Sequence, residues 1–196
     1  VERLVRAALP AFEDLGARVE SCDLPEAHQA LEINPAGLIT AAEAYTLNRN
    51  LVDERFDELD PIAAHRVVKG AEVPAEHYLR ALRERAVVCA SVDERLRDID
   101  ALLCPTVMIP PRTVSETDAS IEGYSQINMQ CLRNTMIGNF LNFCALSVPC
   151  GFTASGLPVG LMIYCKAFDE AKCLRIGHAF QQATGWHHTR PDLSWL

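Results

Sequence analysis

The stretch from Ala145 to Cys165, ALSVPCGFTASGLPVGLMIYC, decides the fold of this chain. Two apolar runs are separated by a Pro-Cys-Gly stop and by the turn sequence TASGLP. Short apolar runs bounded by turn residues are typical of buried strands. The stretch therefore predicts two strands, at 145–148 and 159–165. These strands either carry an enzyme's chemistry or form a wall that supports it.

Outward from this stretch, helical and strand patterns alternate along the chain. Asp169 predicts the start of a final helix that ends at Gly185, and residues 101–104 predict a short buried strand. Residues 105–120 are rich in Pro, Thr and Ser and predict a long loop, while 122–143 is ambiguous and helical in part. These patterns predict an α/β fold.

The first half of the chain is predicted to be mostly helical. The predicted helices cover residues 1–15, with a fault at Pro10 and a stop at Gly16, then 36–56, 61–68 and 75–97. In the last of these, the proposed buried stripe is Leu79, Leu82, Ala86, Cys89 and Leu96. Alternation in ARVESCDLP predicts a strand over 17–25, and the tail from Trp186 is expected to lie on the surface.

Composition limits the range of functions. The 196 residues suit one domain, or one lobe of a larger one, and no linker in the sequence divides them. A net charge of −8 without a basic run disfavours nucleic acid as a partner. No apolar run reaches the ~18 residues that cross a bilayer, so we expect no membrane partner. The eight cysteines form no C-x-x-C pair, which favours reduced thiols in a cytoplasmic protein.

The candidates for nucleophilic or metal chemistry are weak. Ser147 lies within a predicted strand and is interpreted as a hydrogen-bonded, buried hydroxyl, while Ser155 precedes a glycine in a turn. The spacing of Cys150 and His178 does not support a nucleophile and its base. His187 and His188 lack acidic neighbours and are expected to diverge, so no metal site is predicted.

Arg133 and Asn134, in the segment CLRNT, are better candidates for a binding role. Leu132 and Met136 flank Arg133, and a guanidinium in apolar surroundings requires a partner. That partner is either a protein carboxylate or a substrate carboxylate or carbonyl held by the guanidinium fork. The sequence leaves both alternatives open.

With these residues in view, the chain resembles the amidase signature family. The most specific segment runs from Gly138 to Phe180 and contains Ser-x-Pro-x-Gly, Gly-Leu-Pro-x-Gly-Leu and Phe-Asp-Glu in order. DALLCPT, from Asp100 to Thr106, also matches the family. The resemblance covers essentially the whole chain and is strongest in its last third.

The resemblance implies an α/β/α sandwich around a mixed β-sheet and the hydrolysis of carboxylic amides, without a cofactor. The family's two catalytic serines and its lysine lie in an N-terminal half that this chain lacks. The resemblance therefore implies no catalytic residue here, and residues 1–196 are expected to be the C-terminal part of an amidase domain. It implies substrate-pocket roles for Thr106, Arg133 and Asn134.

Two rival functions remain open at this point. The first is the glutaminase-like component of a tRNA-dependent amidotransferase, which is similar to amidases in the same segments. The second is a non-catalytic binding module. The expected partners of the amidase are a small amide substrate, the N-terminal portion of the same protein and, in a homodimer, a second copy.

Overall fold

A computed structural model describes residues 1–118 and 120–190. Over these residues, local contacts divide the chain into two compact units. Unit 1 contains residues 1–23 and the described residues from 96 onward, and unit 2 contains residues 24–95. The expectation of one domain or lobe stays a prediction.

Unit 1 contains the sheet and its helices. Its strands are β1 (Leu102–Pro105), β2 (Cys144–Phe152) and β3 (Pro158–Cys165), and its helices are α1 (Glu2–Asp14), α6 (Val114–Thr117), α7 (Ile121–Phe140) and α8 (Glu170–Thr184). A 3₁₀ turn covers Trp186–His188. Both strands predicted from the opening stretch are present, and the α/β fold is confirmed.

The sheet has the strand order β1-β3-β2, and both pairings are antiparallel. Residue Ile163 of β3 lies between Leu103 of β1 and Leu146 of β2. After β2 the chain turns at Gly156, whose φ of 80° favours glycine. The register fixes which residues of each strand share a face, because side chains alternate along a strand.

One face of the sheet forms the main core with α1 and α8. Its buried members are Val5, Ala8, Phe12, Val148, Cys150, Val159, Leu161, Ile163, Cys165, Cys173 and Phe180. The rings of Phe12 and Phe180 stack with their centroids 4.8 Å apart. Helix α1 continues through Pro10, which lies on its exposed side, and ends before Gly16, as predicted.

Unit 2 is helical throughout its regular structure. Its helices are α2 (Pro25–Ile33), α3 (Leu38–Arg55), α4 (Pro61–Val68) and α5 (Ala75–Arg95), with 3₁₀ turns at Pro35–Gly37, Phe56–Glu58 and Lys69–Glu72. The Asp60 side chain accepts hydrogen bonds from the backbone of Ile62 and Ala63, which caps α4 as its sequence predicts.

A buried carboxylate joins α2 to α5 within unit 2. Glu26 is 2% exposed and accepts hydrogen bonds from Ser91 Oγ at 2.7 Å and Arg95 Nε at 2.8 Å. Burial by itself would raise the pKa of Glu26, but these two hydrogen bonds lower it below its usual value. The ionised carboxylate therefore helps to hold the two helices together.

Several predictions need correction. Residues 17–24 form no strand, and Pro25 begins α2, where proline needs no amide partner. The buried stripe of α5 is Ala81, Val88 and Val92, whereas Leu79 is 52% exposed. The ambiguous segment is helical as α7, and a short helix, α6, interrupts the predicted loop.

The ends of two further elements also differ from the sequence analysis. Helix α3 begins at Leu38, after the left-handed residues Ala36 and Gly37, rather than at Ala36. Asp169 precedes α8 as predicted, but its side chain makes an ion pair with Lys172 at 2.9 Å rather than a capping hydrogen bond. Residues 191–196 of the predicted surface tail lie outside the described residues.

A search of the described residues for helices of membrane-spanning length and apolarity found none.

Candidate functional site

The site predicted from the sequence lies on the sheet face opposite the main core, at the end of β1. Pro105 ends that strand, and the Thr106 backbone N–H donates to the Gly160 carbonyl at 3.0 Å. The Thr106 hydroxyl lies 2.6 Å from the Ser147 hydroxyl of β2. A Cβ on Gly160 would come within 2.6 Å of Ser147 Oγ and 2.7 Å of Thr106 Oγ1. The glycine therefore makes room for a pair of hydroxyl groups above the sheet.

Helix α7 brings amide and guanidinium groups to the same strand end. Asn134 Nδ2 donates to the Pro105 carbonyl at 2.7 Å, directly before Thr106. The Tyr164 hydroxyl of β3 donates to the Asn134 backbone carbonyl at 2.7 Å. Arg133 Nη1 donates to Asn134 Oδ1 at 3.3 Å. These bonds link Arg133 and Asn134 to the segment that carries Thr106, so the structure brings the three predicted residues together.

The electrostatic character of the site is that of a hydrogen-bond donor surface. Arg133 is half-buried, and the ion pairs within residues 1–118 and 120–190 do not include it. Burial, and secondly the nearby Cys104 thiol, raise the pKa of the Tyr164 hydroxyl well above its usual range. Tyr164 therefore stays protonated and continues to donate at neutral pH.

The arrangement can bind and orient a polar group, but it lacks the parts for proton transfer. The hydroxyls of Thr106 and Ser147 are paired with each other, and neither partner is a base such as His, Lys or a carboxylate. A hydroxyl nucleophile requires such a base within hydrogen-bond reach. Arg133 supplies a permanent positive charge with a planar set of donors. These groups are suited to a carbonyl or carboxylate.

The weaker sequence candidates lie elsewhere. Cys150 is buried, its thiol donates to the Val159 carbonyl at 3.4 Å, and burial raises its pKa. Ser155 pairs with Thr153 in the turn after β2. The prediction that His187 and His188 diverge is wrong, since their ring centroids are 3.9 Å apart. Across the part of the chain that the structure describes, no group of three or more potential metal ligands was found.

Sequence reasoning missed how Ser147 and Tyr164 take part. Ser147 is exposed, not buried, because the strand register places it on the face opposite the main core. Tyr164 lies two residues from Met162, the cross-strand partner of Ser147, and shares the same face. Alternation along the predicted strand 159–165 was the available signal. It assigns Gly160 and Tyr164 to one face but does not say which helix covers them.

The larger cavities lie away from these residues. One, of about 10 Å³, lies at the opposite end of β1, between Leu102, Phe143 and Tyr164, and holds about one water molecule. The other is an open groove of about 410 Å³ between α2 and α5 in unit 2, with Ile33 and Val87 in its lining. The hydroxyl, amide and guanidinium groups thus form a wall rather than an enclosed pocket.

Comparison with known proteins identifies relatives of this wall and its sheet. The family model for amidases matches residues 1–174. The chain is 32% identical to 2-amino-5-chloromuconic acid deaminase of Comamonas testosteroni and 31% identical to an amidase of Pseudomonas putida, over 96% and 98% of its own length. It is 33% identical, over 97% of its length, to the glutaminase-like component of the glutamyl-tRNA(Gln) amidotransferase of Desulforudis audaxviator.

The fold is shared with solved structures. Allophanate hydrolase of Kluyveromyces lactis matches 93% of this chain with a TM-score of 0.82 at 22% identity. The fold is therefore that of the amidase signature enzymes. The chain belongs to the amidase signature family, as its motifs predict. It spans about two fifths of the length of the curated relatives named above, 41% of each of the first two.

Proposed function

We propose that this chain is the C-terminal portion of an amidase that hydrolyses a carboxylic amide to an acid and ammonia or an amine. Its role in that enzyme is to form the wall of the substrate pocket and part of the central sheet. The observation that carries this proposal is the cluster of Thr106, Arg133 and Asn134 at the end of β1, which offers donors without a base. The parent protein is the hydrolase, and the chain by itself is inactive.

Within the proposed pocket, Arg133 binds a carbonyl or carboxylate of the substrate. Its lack of a carboxylate partner among the described residues leaves its charge free for that role. Asn134 fixes the position of Arg133 and of the Pro105 carbonyl, and Thr106 contributes a hydroxyl held by Ser147. The substrate is a small amide whose polar end meets these donors.

The nucleophile and base are assigned to an N-terminal portion of the same protein. Two observations support this assignment. The chain spans 41% of the amidase from Pseudomonas putida. In addition, β2 is paired on one side only, with β3, among the described strands. An edge strand of nine residues offers unpaired amide and carbonyl groups to a further strand. We propose that the N-terminal portion extends the sheet there.

Complementation tests the proposal directly. The N-terminal portion encoded upstream is produced with this chain, and hydrolysis of simple aliphatic and aromatic amides is measured. We expect turnover only when both portions are present, and loss of turnover after treatment with a serine-directed fluorophosphonate. Turnover by the isolated chain through one of its own side chains would contradict the proposal, as would a natural start codon at Val1, which would indicate a binding module.

A variant of the parent protein tests the pocket wall. Arg133→Gln removes the charge but keeps hydrogen-bonding capacity, and we expect KM for the amide to rise by about tenfold or more with a smaller change in kcat. The control is Arg175→Gln on the exposed side of α8, which should leave both constants unchanged. An unchanged KM in Arg133→Gln would remove Arg133 from the pocket.

A second candidate function is that of the glutaminase-like component of a tRNA-dependent amidotransferase. The identity of 33% to such a component favours it as an alternative. Affinity capture of the parent protein from its native extract separates the two functions. Stable co-purification of further subunits would support the amidotransferase, whereas a solitary or homodimeric parent would support the amidase.

We also propose a cytoplasmic location for the parent protein. All eight cysteines are free in the structure, including the exposed Cys22. Free thiols persist in reducing compartments, which supports this location. Fractionation of cells that produce the parent protein, with detection of the chain in each fraction, tests it.

A further inference from the structure

Three cysteine thiols from three elements meet at one end of the sheet. Cys144 of β2 lies directly opposite Cys165 of β3 in the register. Cys173, in the first turns of α8, donates to the Ile163 carbonyl at 3.3 Å, and its side chain also hydrogen-bonds with both Cys144 and Cys165. We refer to Cys144, Cys165 and Cys173 as the thiol cluster. The proposed amidase chemistry does not use it.

We propose that the thiol cluster is a site of disulfide formation, in which a peroxide oxidises Cys144 and Cys173 then closes a Cys144–Cys173 bond. Cys144 is the thiol that a small oxidant reaches, because it is only half-buried, whereas Cys165 is 3% and Cys173 is 2% exposed. Its thiol hydrogen-bonds to the Lys166 carbonyl at 3.2 Å, at the end of β3. Access to the oxidant therefore selects Cys144 as the first thiol to react.

The reaction balances without a further reagent. The Cys144 sulfur attacks one oxygen of the peroxide, the O–O bond breaks, and a sulfenic acid and one water are formed from hydrogen peroxide. The Cys173 sulfur then attacks the Cys144 sulfur, the S–O bond breaks, and a second water leaves with the thiol proton. The two thiols lose one hydrogen atom each, and hydrogen peroxide is reduced to water.

Geometry selects Cys173 rather than Cys165 as the resolving thiol. Directly opposed residues of an antiparallel pair have Cβ atoms about 4.5–5.5 Å apart. A disulfide needs about 3.5–4.5 Å between Cβ atoms, so the Cys144–Cys165 pair would have to pull two strands together. Cys173 instead approaches from a helix. Burial and the neighbouring thiols also raise the pKa of Cys165 to about 12, which leaves little thiolate at neutral pH.

Tryptic mapping of the 196-residue chain distinguishes these bridges. Cleavage after Arg133, Lys166 and Lys172 places Cys144 and Cys165 together in peptide 134–166, while Cys173 lies in the tripeptide 173–175. A bond to Cys173 therefore joins two peptides, whereas a Cys144–Cys165 bond closes a loop within one. The chain is treated with hydrogen peroxide, remaining thiols are alkylated, and the peptides are identified by mass spectrometry.

We expect the tripeptide 173–175 to appear joined to peptide 134–166 through Cys144, with the loss of two hydrogen atoms. Cys144→Ala should abolish the joined peptide, and the matched control Cys150→Ala, which removes a neighbouring buried cysteine of the same peptide, should retain it. The wild-type map decides the question by itself if a variant does not fold. Oxidation of the exposed Cys22 without any joined peptide would overturn the proposal, as would a Cys144–Cys165 loop or a bond from Cys173 to Cys150.

Discussion

The two faces of strand β3 differ in what their residues do. Val159, Leu161 and Ile163 point into the apolar core with α1 and α8. Gly160 and Tyr164 point to the other face, where one makes room for two hydroxyls and the other donates to α7. A single strand thus supplies stability on one side and positions polar groups on the other. The comparison predicts that substitutions on the core face affect folding, while those on the polar face increasingly affect binding.

The largest expected effect is on the core face. Ile163 is fully buried, and Ile163→Ala should lower the free energy of unfolding by about 2–5 kcal/mol, because apolar contacts are lost and a cavity remains. The control Leu174→Ala, on the exposed side of α8, should change it by about 0.5 kcal/mol or less. Urea unfolding followed by circular dichroism measures both. Equal effects of the two variants would contradict the assignment of the core face.

The next effect tests the packing of α7 on the polar face. Gly138 of α7 lies against the Tyr164 ring, and a Cβ there would come within 2.7 Å of Tyr164 Cζ. Because the ring is buried, Gly138→Ala should destabilise unit 1 by about 1–3 kcal/mol. The control is Gly123→Ala in the same helix, where the closest contact is 3.1 Å to Ser120 Oγ. If Gly138→Ala unfolds at the same urea concentration as wild type, α7 does not pack as described.

These two faces also show what the sequence could and could not predict. Both strands of the opening stretch were predictable, because each is an apolar run with a clear stop. The Thr106–Ser147 contact was not, since it depends on the register of three strands, which the turn between β2 and β3 fixes. Thr106 entered as a candidate through the family resemblance, and the structure then placed it beside Asn134.

The two clearest errors have physical causes. Residues 17–25 alternate like a strand, but the main core takes up only Val19 from this segment, and the proline at position 25 serves better as the first residue of a helix. In α5, the proposed stripe followed the large residues Leu79 and Leu82. The helix instead buries the smaller Ala81, Val88 and Val92, because close helix packing favours small side chains at these positions. Residue size was a poor guide to helix phase.

A smaller effect is expected for the hydrogen bond between β3 and α7. Tyr164→Phe removes the bond to the Asn134 carbonyl and should cost about 1 kcal/mol. Its pH dependence is more specific. Burial raises the pKa of Tyr164 in the folded state, so its contribution is fully present below the unfolded pKa of about 10 and is lost as the pH rises further. The variant should therefore lose less stability than wild type above that pH.

Urea unfolding from neutral to alkaline pH measures this difference. Tyr124→Phe, in the first turns of α7, is the matched control for the loss of one phenolic hydroxyl. An alkaline decline that is as steep in Tyr164→Phe as in wild type would assign that decline to other groups. The buried Cys104 is one such group, since burial raises its pKa to about 11.

The smallest stability effect is expected at the hydroxyl pair, where the comparison between the faces is sharpest. Ser147 is exposed, so water replaces its bond to Thr106, and Ser147→Ala should change the free energy of unfolding by about 0.5 kcal/mol or less. The turn provides a matched pair, Thr153 and Ser155, and Ser155→Ala should have a similarly small effect. The two variants should differ in the parent enzyme, where Ser147→Ala alone should raise KM for the amide because Thr106 is no longer held in place. If Ser155→Ala raises KM equally, or Ser147→Ala leaves it unchanged, the polar face does not position the substrate.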